Sequence, residues 1–345
     1  MTAYAFWNNK GGVGKSFLCF IAASEYAHRH PEADVYVIDL CPQANVSETL
    51  FGGYGKSTGA MNRVLGATPR ASVAGYIEER LSSPFKMITN IAPYISHPSD
   101  ENGAIPGNLY LICGDNLLEV LSEAIRQTAQ LPIPTDAWKI IIGWIKDLIS
   151  ALRESSGERD SFFVIDCNPS FAVYTQLALV SADYVVVPFT ADDSSRRAIE
   201  NVVALLYGVS DDPHASRYAR ISFAKRAAEE GLAPPKLHTF VSNRVTFYEG
   251  RPSKAFEVAS QRIKKTVRDI YKSRRSIFAV PGRDPTESFI EVPDYHSASI
   301  VAAVTGTPLH RLKPGPRMLG DERVQINIGP LKSYREALAK FVDSL

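Results

Sequence analysis

An α/β fold, with a mostly parallel sheet covered by helices on both faces, is what this 345-residue sequence predicts. Three observations carry that expectation. Apolar runs of four or five residues alternate with helical stretches, as in strands buried on both sides. Each run ends in a polar or special residue. The first run meets a Gly-rich turn that opens straight into a helical segment.

The elements follow in order. Residues 3–7 (Ala-Tyr-Ala-Phe-Trp) read as a strand, residues 8–16 as a turn, and residues 16 to about 29 as a helix. Apolar strands are predicted at 35–38, ending at Asp39, at 162–165, ending at Asp166, and at 184–187, ending at Pro188. Two more are predicted at 237–241, ending near Asn243, and at 277–280, ending at Pro281. Ligands of open α/β sheets gather at the carboxyl ends of the strands. Asp39, Asp166, Asn243 and the 8–16 turn are therefore expected in one crevice. Residues 52–108, rich in Gly, Ser, Pro and Asn, and residues 128–160 read as elaborations, the second holding a helix near 138–152. Leu331, Tyr334, Ala337, Leu338, Phe341, Val342 and Leu345 recur at helical spacing, so 331–345 reads as a helix docked on the core. One domain spanning 1–345 is expected.

Composition narrows the class. A hydrophobic fraction of 45% is too high for a wholly disordered chain. Cys19, Cys41, Cys113 and Cys167 are widely spaced and form no C-x-x-C pair, which disfavours a disulfide scaffold or a metal-cluster site and suits a reducing cytosol. No basic stretch followed by an apolar one opens the sequence, and no apolar run approaches the ~18 residues of a spanning helix. A cytoplasmic location is expected. The tail carries Lys332, Arg335 and Lys340 against Glu336 and Asp343, too balanced for a membrane-binding helix. The net charge of +1 hides an asymmetry. Residues 244–283 hold eleven Lys and Arg against three acids, a net +8, which leaves −7 for the remainder.

The turn Asn8-Asn9-Lys10-Gly11-Gly12-Val13-Gly14-Lys15-Ser16 is built for phosphate. Small residues let backbone N–H groups approach phosphate oxygens, and a helix N-terminus adds its dipole. Lys15 offers a cation to the β/γ-phosphates, and the Ser16 hydroxyl can ligate Mg²⁺. The ordinary P-loop pattern wants Gly where Asn9 stands, and Lys10 is an additional lysine. The segment resembles the deviant Walker A motif of the ParA/MinD family of ATPases, and Asn8-Asn9 is closer to the ParA partition branch. Residues 37–45 (Val-Ile-Asp-Leu-Cys-Pro-Gln-Ala-Asn) resemble that family's second motif, and residues 164–170 (Val-Ile-Asp-Cys-Asn-Pro-Ser) its Walker B motif. Residues 182–188, 241–244 and 278–281 resemble its later strands. The similarity covers most of 1–50 and 110–310, leaving 52–108 and 128–160 outside.

The resemblance implies a P-loop NTPase fold, Mg²⁺ and ATP as cofactors, and an ATP-dependent homodimer. Gly11, Gly12, Val13, Gly14, Lys15, Ser16 and Phe17 would cradle the nucleotide, and Asn243 would meet the adenine edge. Lys10 would reach the partner's nucleotide. Ser16, Asp39 and Asp166 would hold Mg²⁺, with Lys10, Lys15 and Asp39 as the catalytic set. It further implies non-specific DNA binding, here through Arg262, Lys264, Lys265, Arg268, Lys272, Arg274 and Arg275, nucleoid association, and a ParB-like or cargo-adaptor partner. The loop begins within ten residues of Met1, so an N-terminal helix-turn-helix is not expected.

One position breaks the pattern. The second acid of the second motif is Cys41. A carboxylate can orient a water in line with the γ-phosphate, whereas a thiol is a weak donor and acceptor. Slow or absent hydrolysis is expected, with Gln43 and Asn45 as partial substitutes. The rival readings are an ATP-bound regulatory switch, a MinD-like membrane-positioning ATPase, and a metal-cluster carrier or reductase.

Overall fold

In the computed structural model, which describes residues 2–208, 222–245, 247–248, 251–252, 254–294 and 296–345, the first strand lies at the centre of a parallel sheet. The strands are β1 (Thr2–Phe6), β2 (Asp34–Leu40), β3 (Leu109–Ile112), β4 (Ser161–Cys167), β5 (Tyr184–Phe189), β6 (Lys236–Val245), β7 (Phe247–Tyr248), β8 (Arg251–Pro252), β9 (Phe289–Pro293), β10 (Gly315–Leu319) and β11 (Glu322–Ile326). Seven of the described strands form the main sheet in the order β3-β2-β4-β1-β5-β6-β9, every pair parallel. β7–β8 and β10–β11 are small antiparallel pairs.

The helices are α1 (Lys15–Arg29), α2 (Asn45–Leu50), α3 (Ser57–Gly66), α4 (Val73–Ser82), α5 (Pro98–Glu101), α6 (Leu117–Thr128), α7 (Ala137–Ile142), α8 (Trp144–Ser155), α9 (Val173–Ser181), α10 (Asp193–Tyr207), α11 (Phe223–Glu229), α12 (Lys254–Ser273), α13 (His296–Thr305) and α14 (Ile328–Asp343). Because strand side chains alternate between faces, each apolar run feeds two cores. Ala3, Ala5, Trp7, Ile38 and Ile165 pack with α4, α6 to α10 and Ile263 and Val267 of α12. Tyr4, Phe6, Val37, Val164 and Val186 pack with α1, α2, α13 and α14. In α14, Leu331, Tyr334, Leu338, Phe341 and Val342 are buried, with Phe341 edge-on to Phe6 at 6.0 Å.

The sequence reading needs three corrections here. Residues 277–280 are not a strand. A 3₁₀ turn covers Arg275–Ile277, and Phe278 makes a single parallel bridge to Leu237. β9, which sequence analysis did not single out, pairs with β6 from Phe240 onward and so takes the rest of that edge. The helix read near 138–152 is two helices meeting at Gly143. Finally, β3 begins directly after the 52–108 stretch and forms the opposite edge of the sheet, next to β2.

Candidate functional site

The parallel register brings the two strand-end carboxylates together. Asp39 of β2 lies directly opposite Asp166 of β4, and Asp166 opposite Phe6 of β1. Both acids therefore point to the α1 side of the sheet, beneath the loop that joins β1 to α1. That loop ends at Gly14, which caps α1 in the left-handed conformation with φ +88° and gives no side-chain cap. No acidic residue occupies the first turn of α1. Its N-terminal N–H groups thus keep their attraction for an anion.

Gly14 is required for space as well as for φ. A Cβ there would stand 2.1 Å from Asn243 Nδ2. That amide donates to the Val13 carbonyl at 3.0 Å. Asn243, expected at an adenine edge, here holds the loop with one of its two amide N–H groups. Asn8 also anchors the loop, donating to the Pro188 carbonyl at 2.6 Å, and Asn9 donates to the Pro169 carbonyl at 3.2 Å.

The charged groups sort by what they touch. Lys15 is buried and donates to the Lys10 carbonyl at 3.0 Å. Burial pulls its ammonium below the ordinary lysine value, and the nearby Asp166 opposes that shift. Asp39 accepts from the Cys41 N–H at 3.0 Å, the Ser47 N–H at 3.2 Å and the Ser47 hydroxyl at 2.7 Å. Asp166 is fully buried and makes no ion pair or well-aligned hydrogen bond among the described residues, although the Ser16 hydroxyl, Lys15 and the Cys19 thiol lie near enough to lower its carboxyl. Burial raises both carboxyls. The charge of Asp166 raises Asp39 further, while Ser16 and Lys15 counteract the shift at Asp166. A buried carboxylate left without partners costs several kcal/mol unless it is protonated or meets a cation (~1–3 kcal/mol and more for charged groups). Ser16 and Asp166 therefore fit a Mg²⁺ site, and Asp39, directly across from Asp166, also holds the turn that follows β2. Ser47, its main partner, was invisible to sequence reasoning, since nothing local marks a serine eight residues on.

A cavity of about 410 Å³ opens over this loop, lined among others by Gly12, Lys15, Ser16, Phe17, Cys41, Gln43, Asn45 and Cys167. That volume lies within the range of small-molecule sites. Cys41 is 5% exposed, and burial, followed by the charge of Asp39, pushes its thiol up to about 12. It stays a neutral thiol at pH 7. Gln43 and Asn45 are exposed at the rim, with the Asn45 amide donating to Gln43 at 3.2 Å. A larger cavity of about 930 Å³, between β9, α13 and α14, is lined by none of the predicted site residues.

Lys10 is held within its own chain. Its ammonium meets Asp192 at 2.5 Å, Thr190 Oγ1 at 2.9 Å and Ser195 Oγ at 3.2 Å. Asp192 is the N-cap of α10. Partial burial raises the Asp192 carboxyl, but Lys10, Ser194, Thr190 and the Ser195 N–H together hold it far below the usual carboxylate value.

The predicted DNA residues separate into two sets. Lys264 is half-buried and pairs with Glu291 at 3.4 Å, Arg268 with Asp284 at 3.1 Å, and Lys272 with Asp269 at 3.3 Å. Arg262, Lys265 and Arg274 are exposed and hold no ion pair among the described residues. The Arg275 guanidinium lies 5.7 Å from the centre of the Tyr271 ring. Glu249 and the side chain of Arg251 lie outside the described residues.

The family described as an AAA domain matches residues 1–215. The chain belongs to that family. The match runs through 52–108 and 128–160, both expected to lie outside the resemblance, and does not extend into 216–310. No curated protein matches the chain. Among solved structures, apo McdA of Cyanothece superposes with a TM-score of 0.56 at 14% identity, covering 98% of this chain and 99% of that one. The pNOB8 ParA structure gives 0.56 at 14% identity, covering 99% and 96%. A plasmid partition protein from Borrelia burgdorferi B31, bound to AMPPNP, gives 0.54 at 17% identity, covering 100% and 99%. The fold of this AAA-domain chain is that of these McdA, ParA and plasmid partition structures, as the resemblance of its motifs implies. No described helix is long and apolar enough to cross a membrane, and no three His, Cys, Asp or Glu side chains among the described residues converge as a metal site.

Proposed function

We propose that the chain binds Mg·ATP at the 11–16 loop, dimerises through that face and associates with DNA to position or segregate a cargo. The observation that carries this is the state of Lys15 and Asp166. Both are buried beneath an uncapped helix N-terminus, and neither has an ionic partner within hydrogen-bond distance. A nucleoside triphosphate with its cation supplies both charges that are missing. Structures of the same fold bound to ATP and AMPPNP support the reading.

In this scheme Lys15 leaves the Lys10 carbonyl for the β/γ-phosphates, and the N–H groups of residues 11–14 hold phosphate oxygens. Ser16 and Asp166 would hold Mg²⁺, which when bound neutralises charge across the β- and γ-oxygens. Asp39 keeps the turn at 41–47 in place. Lys10 can serve a partner's nucleotide only after releasing Asp192, so dimerisation carries the cost of opening that pair. The test is size-exclusion chromatography with light scattering in ADP and in ATP, each with and without duplex DNA. A monomer in all four conditions would overturn the dimer claim.

A second reading rests on Cys41. A neutral thiol at the cavity wall orients water poorly, which favours an ATP-bound switch with little turnover. Phosphate release by wild type should then be slow, and Cys41→Asp should raise it. A Cys41→Asp variant that is slower than wild type speaks against this view.

A further inference from the structure

The chain that follows β4 serves two cavities. Cys167 and Pro169 line the one over the phosphate loop. Phe171, Ala172 and Val173 line another, of about 420 Å³, between α6, α7, α9 and α11. None of the site residues expected from the sequence lines this second cavity.

One part of its wall is aromatic. Phe223 of α11 meets Phe171 edge-on at 5.3 Å and Trp138 of α7 at 6.0 Å. Phe171 in turn lies 5.3 Å from Trp7, which is fully buried. Trp138 and Phe223 are buried and Phe171 is half-buried. Packing therefore holds these rings in place before any ligand arrives, as in most small-molecule sites.

The charge on the wall is of one sign. Arg226 of α11 is half-buried, with its guanidinium 4.8 Å from the centre of the Trp138 ring, and forms no ion pair among the described residues. Arg126 of α6 is exposed and pairs with Glu123 on its own helix, a surface contact that is readily exchanged. No carboxylate lines the cavity among the described residues. α9 starts at the same wall with no side-chain cap and no acid in its first turn, which adds to the attraction for negative charge. A guanidinium offers its N–H donors in a planar fork that matches an oxyanion.

We propose that this cavity binds a small organic anion carrying an aromatic ring. The ring lies against Trp138, Phe171 and Phe223, and the anionic group meets Arg226, with Arg126 as a second cation. The volume suits a small molecule. A neutral compound would gain nothing from the two arginines, and an inorganic anion nothing from the rings. The site does not depend on the nucleotide reading, so it is tested without nucleotide.

Calorimetric titration with naphthalene-2-carboxylate and naphthalene-2-carboxamide is the test, because the two share a shape and differ in charge. The carboxylate saturates one site per chain at or below millimolar concentration. It binds at least about tenfold more tightly than the amide, the scale of one hydrogen-bonded charge. Arg226→Gln weakens the carboxylate by about the same factor and leaves the amide unchanged. Ser122→Phe, which fills the cavity from α6, abolishes binding of both. Circular dichroism checks that each variant is folded. No saturable binding of the carboxylate overturns the proposal, and so does equal affinity for the amide. Folded Arg226→Gln or Ser122→Phe protein with wild-type carboxylate affinity also overturns it, since the probe then sits elsewhere.

Discussion

The floor of the cavity and the basic helix α12 treat charge in opposite ways. Beneath the loop, Asp166 is buried without an ion pair, and the Lys15 ammonium donates only to a backbone carbonyl. On α12, Lys264, Arg268 and Lys272 stand nearer solvent and already hold carboxylates. Buried charge without a partner is costly, so the cavity has a physical need for a ligand. Exposed ion pairs are worth ~0–1 kcal/mol and are readily exchanged, so the helix has no such need. A high local density of Lys and Arg in sequence is thus weaker evidence for a ligand than two opposite charges that folding has buried near each other without a hydrogen-bonded ion pair.

The largest effect should come from the buried pair. Lys15→Ala should weaken Mg·ATP binding by at least about 100-fold while the fold is retained, measured by calorimetry and circular dichroism. A loss below tenfold would mean that burial of Lys15 is structural and would dissolve the contrast.

The next effect sharpens the other side. Substituting Arg262, Lys265 and Arg274 together by Ala should reduce duplex DNA affinity about tenfold or more and shift the slope of log K against log salt by about 3. The paired set, Lys264, Arg268 and Lys272, should shift it less. Electrophoretic or anisotropy titrations at several salt concentrations decide between them. Equal effects would show that the intramolecular pairs do not matter.

A third prediction concerns geometry. Gly14→Ala forces a left-handed alanine and a clash with Asn243, and should destabilise the protein by about 1–2 kcal/mol or more. Adding Asn243→Ala should relieve only the clash. Urea unfolding of both variants measures the difference. A smaller effect comes from the Lys10–Asp192 pair. Asp192 titrates lower in the folded chain than its ordinary value of 3.8, so its contribution is present above that value and is lost as pH falls through the folded value. The stability difference between wild type and Asp192→Asn should therefore be full at pH 7 and shrink below about pH 4. At neutral pH, Asp192→Asn should raise the ATP-dependent dimer fraction by freeing Lys10. An unchanged fraction would mean that the pair does not restrain Lys10.

Much of the site was legible because its parts are local. The turn 8–16, the strand ends at Asp39 and Asp166, and the helix after Ser16 depend on short-range patterns: apolar runs, glycine and a following 3.6-residue period. The misread elements depend on competition. Residues 277–280 have the composition of a strand, but the edge of β6 was taken by β9. One N–H of the Asn243 amide holds a loop 230 residues away, a contact that no local pattern marks.

The sequence by itself determined the parallel α/β architecture, the phosphate loop and the replacement of an acid by Cys41, since each is written in contiguous residues. Only the tertiary structure decided which charges are free. It paired Lys10 with Asp192, closed Asp39 onto Ser47 and left Asp166 buried without an ion pair. It also set Trp138 and Arg226, distant in sequence, on one cavity wall. The reason is physical: a residue's type fixes the charge it can carry, but whether that charge is satisfied depends on neighbours that only folding supplies.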